Sequence, residues 1–81
     1  IDMYDNKLLT LLEERMKVVN KIGLYKKENR ITILQPSRWK EIMESAVEKG
    51  RMHHLSDDLV ITLFKAIHQE SINNQTKILN R

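Results

Sequence analysis

The chain has 81 residues, 14 Lys plus Arg against 11 Asp plus Glu, and a formal net charge of +3. With no Cys, 2 Gly, 1 Pro, 41% hydrophobic and 31% charged residues, it excludes a disulfide framework, a thiolate metal site and a disordered chain. No apolar run approaches the roughly 20 residues of a membrane span, the opening Ile1-Asp2-Met3-Tyr4-Asp5 is no signal peptide, and the mild positive excess lacks the basic stripe of a nucleic-acid binder.

From Met3 to about Asn29 there is no Pro. Leu8, Leu11, Leu12, Val18, Val19 and Ile22 recur there at spacings of three and four, which predicts one long helix. Gly23 interrupts it at roughly 1 kcal/mol relative to Ala, which points to a close neighbour. Ile31-Thr32-Ile33-Leu34 is β-branched but too short for a sheet, and reads as an apolar connector tucked against the helices. Pro36 suits the first turn of a second helix. Its apolar face is Trp39, Ile42, Met43, Ala46 and Val47, and Gly50 is placed at its C-terminal stop. Ser56 reads as the N-cap of a third helix, with Asp57 and Asp58 complementing the dipole and Leu55 and Val60 set for a hydrophobic staple. The third stripe runs through Leu63, Phe64, Ile67, Ile78 and Leu79. The expected class is all-α: one long helix and two shorter ones in a single domain, residues 1–81. The first residue is not Met, so a true start a few residues upstream is expected.

Size adds an expectation of association. A helix of about 28 residues is roughly 42 Å long, whereas a compact chain of this length is about 30 Å across. The first helix must overhang, and its apolar stripe runs nearly its full length. An intertwined two-fold homodimer with the long helices paired is the least costly arrangement.

Polar residues interrupt these apolar faces. Arg15 and Lys26 are eleven residues apart, about 20° from alignment and roughly 16 Å along the axis, so both project from nearly one face. Together they are placed to hold a dianion. Ser71 and Gln75, at i and i+4, interrupt the third stripe, and Arg38 lies one turn before Ile42. Taken singly, each cation also reads as a side chain snorkelling to solvent. Ser71 and Gln75 read equally as a wet helix end. As a set of inward groups without matching carboxylates, they point to an anionic ligand. His53-His54 lacks a third metal ligand at sensible spacing, so metal binding is not expected. His68 reads as a satisfied or surface residue. Lys26-Lys27, Arg30 and Lys40 are interleaved with acids, as on an ordinary solvated surface.

At these same residues the sequence resembles the all-helical chorismate mutases. Ile1-Asp2, Asp5 and Leu8-Leu9-Thr10-Leu11-Leu12-Glu13-Glu14-Arg15 resemble that family's opening, I-D-x-x-D-x-x-L-L-x-L-L-x-x-R. Ile22-Gly23-Leu24-Tyr25-Lys26 is similar to its I-G-x-x-K, Pro36-Ser37-Arg38 to P-x-R, and Glu70-Ser71-Ile72-Asn73-Asn74-Gln75 to E-S-x-x-x-Q. The resemblance implies a Claisen rearrangement of chorismate to prephenate in phenylalanine and tyrosine synthesis, without metal or cofactor, in the cytoplasm. It implies that Arg15 grips one carboxylate and that Lys26 contacts a carboxylate and the ether oxygen. Gln75 would donate to the same oxygen, Ser71 would contact a carboxylate, and Arg38 would add positive potential. Helix one would cross between the two sites of the dimer.

Two departures stand out. The family's R-x-x-I-D arginine would lie just upstream of Ile1. Trp39 stands where the family commonly has a Glu that binds the substrate hydroxyl, which leaves that recognition to backbone near Gln35 or weakens it. The run Leu34-Gln35-Pro36-Ser37-Arg38-Trp39 resembles mutase domains fused to the first enzyme of the shikimate pathway, a synthase. Rival readings are an isochorismate-pyruvate lyase, a catalytically weak regulatory or dimerisation module, and, last, a basic nucleic-acid-binding hairpin.

Overall fold

The computed structural model describes residues 1–80. Among them are three α-helices and no strand: α1 Asp2–Glu28, α2 Pro36–Met52 and α3 Asp57–Leu79. They divide into two compact units, one of Ile1–Ile33 with the end of α3 from Asn73, the other of Leu34–Ile72.

In the first unit, α1 carries Asp2 and Asp5 in its first turn and Lys26 and Lys27 in its last, the polarity that suits a helix dipole. Val19 and Gly23 of α1 and Gln75 and Ile78 of α3 are buried. Asn74 Nδ2 adds a contact to Met16 Sδ at 3.6 Å. The N-terminal half of α1 has no such cover: Leu8, Leu9 and Leu11 are 48%, 64% and 61% exposed. The connector is only partly tucked in, with Ile31 and Ile33 half-buried and Thr32 and Leu34 exposed.

In the second unit, Pro36 occupies the first turn of α2, as its fixed φ and missing N–H favour. Ser56 caps α3 as expected, its Oγ accepting from Leu59 N at 3.2 Å. Val60 and Ile67 of α3 are buried. Trp39 of α2 stacks on His68 of α3, with ring centroids 3.8 Å apart and planes 15° from parallel. Arg51 straps the turn to Asp57 through two hydrogen bonds, 3.0 and 2.7 Å. The hydrogen bonding and then the charge of Arg51 hold the Asp57 carboxyl below its usual pKa.

The end of α1, at Glu28 with Asn29 as its cap, falls where the sequence places it, whereas the end of α2 corrects the sequence reading. Gly50 does not stop α2, which continues to Met52 with His53 as its cap. Leu55 N bonds Gly50 O at 2.9 Å and His54 N bonds Arg51 O at 3.0 Å, the paired bonds of a Schellman motif. The left-handed residue it needs is His54, at φ 61°. At the end of α1 the same pattern recurs. Ile31 N bonds Lys26 O at 2.8 Å and Arg30 N bonds Lys27 O at 3.4 Å, with Arg30 at φ 54°.

Gly50 instead serves packing. A Cβ there would lie 2.5 Å from Val60 Cγ2. Gly50→Ala should therefore destabilise by ~1–3 kcal/mol through overpacking, against the gain in helix propensity of roughly 1 kcal/mol. Urea unfolding followed by circular dichroism is the check. An unchanged or raised midpoint would show that Val60 yields freely.

Candidate active site

The site is built outward from Lys26, in the last turn of α1. Its Nζ donates to Ile33 O and to Gln75 Oε1, each at 3.1 Å. Both acceptors are uncharged, and Lys26 makes no ion pair among the described residues. Burial holds its pKa below the usual lysine value, because desolvation disfavours the charged form. An ammonium has three donors and no acceptor. Two are taken by neutral oxygens, so one N–H and an uncompensated charge remain.

The same bond orients Gln75. Because the ammonium can only donate, the amide must turn Oε1 toward Lys26 and Nε2 away. Gln75 is buried, at 6% exposure, so this orientation is held by its surroundings. The α1 and α3 ends thus present two donors from adjacent groups: the third N–H of Lys26 and the Nε2 of Gln75. Such a pair can stabilise negative charge on an oxygen without reorganising. Arg15, half-buried on α1, lies three turns before Lys26 and can hold the remote end of an anion.

In the second unit, Ser71 is buried, at 7% exposure, and its Oγ donates to Ile67 O at 2.8 Å. The wet-helix-end reading of Ser71 and Gln75 therefore fails: both are buried. Gln35 is exposed and extended at the N-terminus of α2, with its carbonyl accepting from Trp39 N at 3.0 Å. Arg38 corrects an expectation. It does not turn inward; its side chain is 66% exposed and pairs with Glu41 at 3.2 Å. At i and i+3 on the exposed side of α2, the two find each other more readily than Arg38 finds an apolar face. His53 and His54 are exposed, and no cluster of metal-ligating groups exists among the described residues.

Two partners escaped the sequence reading. Ile33 acts through its backbone carbonyl, which no residue type reveals. The stacking of His68 on Trp39 had a faint signal: His68 is three residues before Ser71, on the same face of α3.

The chain matches the chorismate mutase type II family over residues 1–76. It belongs to that family and is a chorismate mutase domain. It is 32% identical over 81 residues to the bifunctional chorismate mutase/prephenate dehydratase of Buchnera aphidicola subsp. Acyrthosiphon pisum. It is 28% identical over 81 residues to the protein of the same name from Escherichia coli. Each match covers 100% of this chain and 21% of the relative, so the chain spans about a fifth of their length. No solved structure matches the chain significantly. Both relatives join the mutase to prephenate dehydratase, whereas the resemblance of the Leu34–Trp39 run implied a synthase; common to both is a mutase fused to a second enzyme.

Proposed function

We propose that this chain rearranges chorismate to prephenate within aromatic amino-acid synthesis. The observation that carries the reading is the Lys26–Gln75 pair, two donors fixed side by side with unspent charge. The rearrangement is intramolecular: one C–O bond breaks as one C–C bond forms, with no nucleophile. The protein must hold a flexible dicarboxylate in its reactive chair and stabilise charge developing on the ether oxygen. Lys26 and the Nε2 of Gln75 do the second. Arg15 grips a carboxylate. By their motifs we assign Ser71 to a carboxylate, Arg38 to positive potential and the Gln35 backbone to the hydroxyl that Trp39 cannot bind. The test is to follow loss of chorismate and of isochorismate with product identification. Prephenate from chorismate supports the reading. Pyruvate from isochorismate, with chorismate untouched, makes the chain a lyase instead.

The working form in this reading is a homodimer in the cytoplasm, as a domain of a larger fused enzyme. No helix among the described residues is long and apolar enough to cross a membrane. The bare face of α1 supports association. Besides its exposed leucines, Val18 and Ile22 are 54% and 42% exposed, and Met3, Asn6, Lys7, Thr10 and Leu11 line a groove along it. Among the described residues the buried apolar side chains are Val19, Val60, Ile67 and Ile78, too little for a stable lone domain. Folding and association should therefore be coupled. Sedimentation over a wide concentration range, with circular dichroism, should show helicity falling as the dimer dissociates. A well-folded monomer at micromolar concentration would sink this form and the shared-site arrangement with it.

A further inference from the structure

We infer that Gly23 is a positioning residue for the reaction: its bare Cα is the seat on which the Gln75 side chain rests, and any side chain there misdirects the Gln75 amide. The inference deepens the mutase reading and rests on it.

Gly23 is buried in α1, one turn before Lys26. A Cβ built on it lies 3.1 Å from Gln75 Cγ, 3.4 Å from Gln75 Cα and 3.2 Å from Ile78 Cδ1. Gln75 and Ile78, at i and i+3 on α3, thus straddle the glycine. Contacts at 3.1–3.2 Å force the neighbours to give by a few tenths of an ångström. For Gln75 this displacement falls in mid side chain. Its Cα, at 3.4 Å, is in ordinary van der Waals contact and need not move, so the displacement falls on Cγ and what lies beyond it. The amide beyond Cγ must then move relative to Lys26 Nζ, now 3.1 Å from Oε1.

A glycine retained inside a helix forgoes helix propensity. It is not required here by backbone angles, since no glycine has positive φ. Close approach of α3 is the remaining physical reason. Two neighbours share the contact, and they separate the roles: Ile78 is packing alone, whereas Gln75 is packing and chemistry.

The experiment compares the unsubstituted chain, Gly23→Ala, Ile78→Val and the double variant. Ile78→Val removes the Cδ1 that the new methyl would strike, while Gln75 stays in its path. Each is assayed for kcat and KM, for melting temperature, and for the Gln75 side-chain amide resonance. Gly23→Ala should lower kcat roughly tenfold, since misplacement by an ångström already costs about a hundredfold. KM should hold within about twofold, because carboxylate binding is unaltered. Ile78→Val alone should keep turnover within about twofold. The double variant should melt higher than Gly23→Ala yet remain slow, with the Gln75 amide resonance displaced in both. Recovery of kcat in the double variant would overturn the inference, because the fault then lay in packing against Ile78. An unmoved Gln75 amide resonance in Gly23→Ala would overturn it too. Should the unsubstituted chain fail to turn over chorismate, the mutase reading falls while the amide resonance still decides whether Gly23 seats Gln75.

Discussion

Lys26→Ala should lower chorismate turnover by about 10²–10³-fold, or roughly 3–4 kcal/mol in the barrier, while the helices stay folded. Lys26 donates to two uncharged oxygens and keeps a third N–H beside the Gln75 amide. In the proposed rearrangement that donor acts where charge develops, so its loss should appear in kcat more than in KM. Arg15→Ala should do the reverse, since a carboxylate is present in ground and transition states alike. The fold should survive the Lys26 change. Burial lowers the pKa of Lys26. A lowered lysine pKa means that, below it, the charged form destabilises the folded state relative to a neutral side chain. At neutral pH, removal therefore relieves a penalty, offset by two lost hydrogen bonds worth about 1 kcal/mol each. Lys26→Met keeps the packing of the stem and removes only the ammonium. Steady-state kinetics and thermal melts of both variants are the check. Turnover near the unsubstituted rate in a folded Lys26→Met variant would remove Lys26 from the chemistry.

Where the chain's features were legible in sequence, a residue type carried the physics. Pro36 and Ser56 announce helix starts because a missing N–H and a capping hydroxyl belong there. Lys26 and Gln75 stood out because polar groups interrupt apolar stripes. The stop of α1 near Glu28 was legible and that of α2 was not. Arg30 and His54 take the left-handed position that glycine usually marks, and Gly50 drew attention while doing a different job against Val60. The Ile33 carbonyl was invisible, since every residue has one. The inward placement of Arg38 was misread because spacing alone cannot weigh a neighbouring Glu41 against an apolar face. The bare α1 stripe follows from length: a helix of 27 residues outreaches what the end of α3 can cover.

Gln75→Glu should be nearly inactive at neutral pH and regain activity as pH falls. The amide of Gln75 now does two things: Oε1 accepts from Lys26 at 3.1 Å, and Nε2 remains to donate. An amide does not titrate, so the unsubstituted chain should show no acidic limb from this position between about pH 5 and 8. A carboxylate in its place can still accept from Lys26 but cannot donate, and it repels the developing charge on the ether oxygen. Protonation restores an O–H donor. The Lys26 ammonium favours the ionised acid and lowers its pKa, whereas burial at a site only 6% exposed raises it. The two oppose, so the direction of activity is the firm expectation: rising as pH falls, until the fold itself fails. The measurement is turnover of both forms from about pH 8 down to about pH 4.5, a range that runs from well above the carboxyl's ordinary value to close to it, with circular dichroism as the folding control. A flat profile in the variant, at the unsubstituted rate near neutral pH, would show that the amide does not face the breaking bond. The Lys26–Gln75 pair would then be a structural contact between α1 and α3, and the charge on the ether oxygen would need another donor.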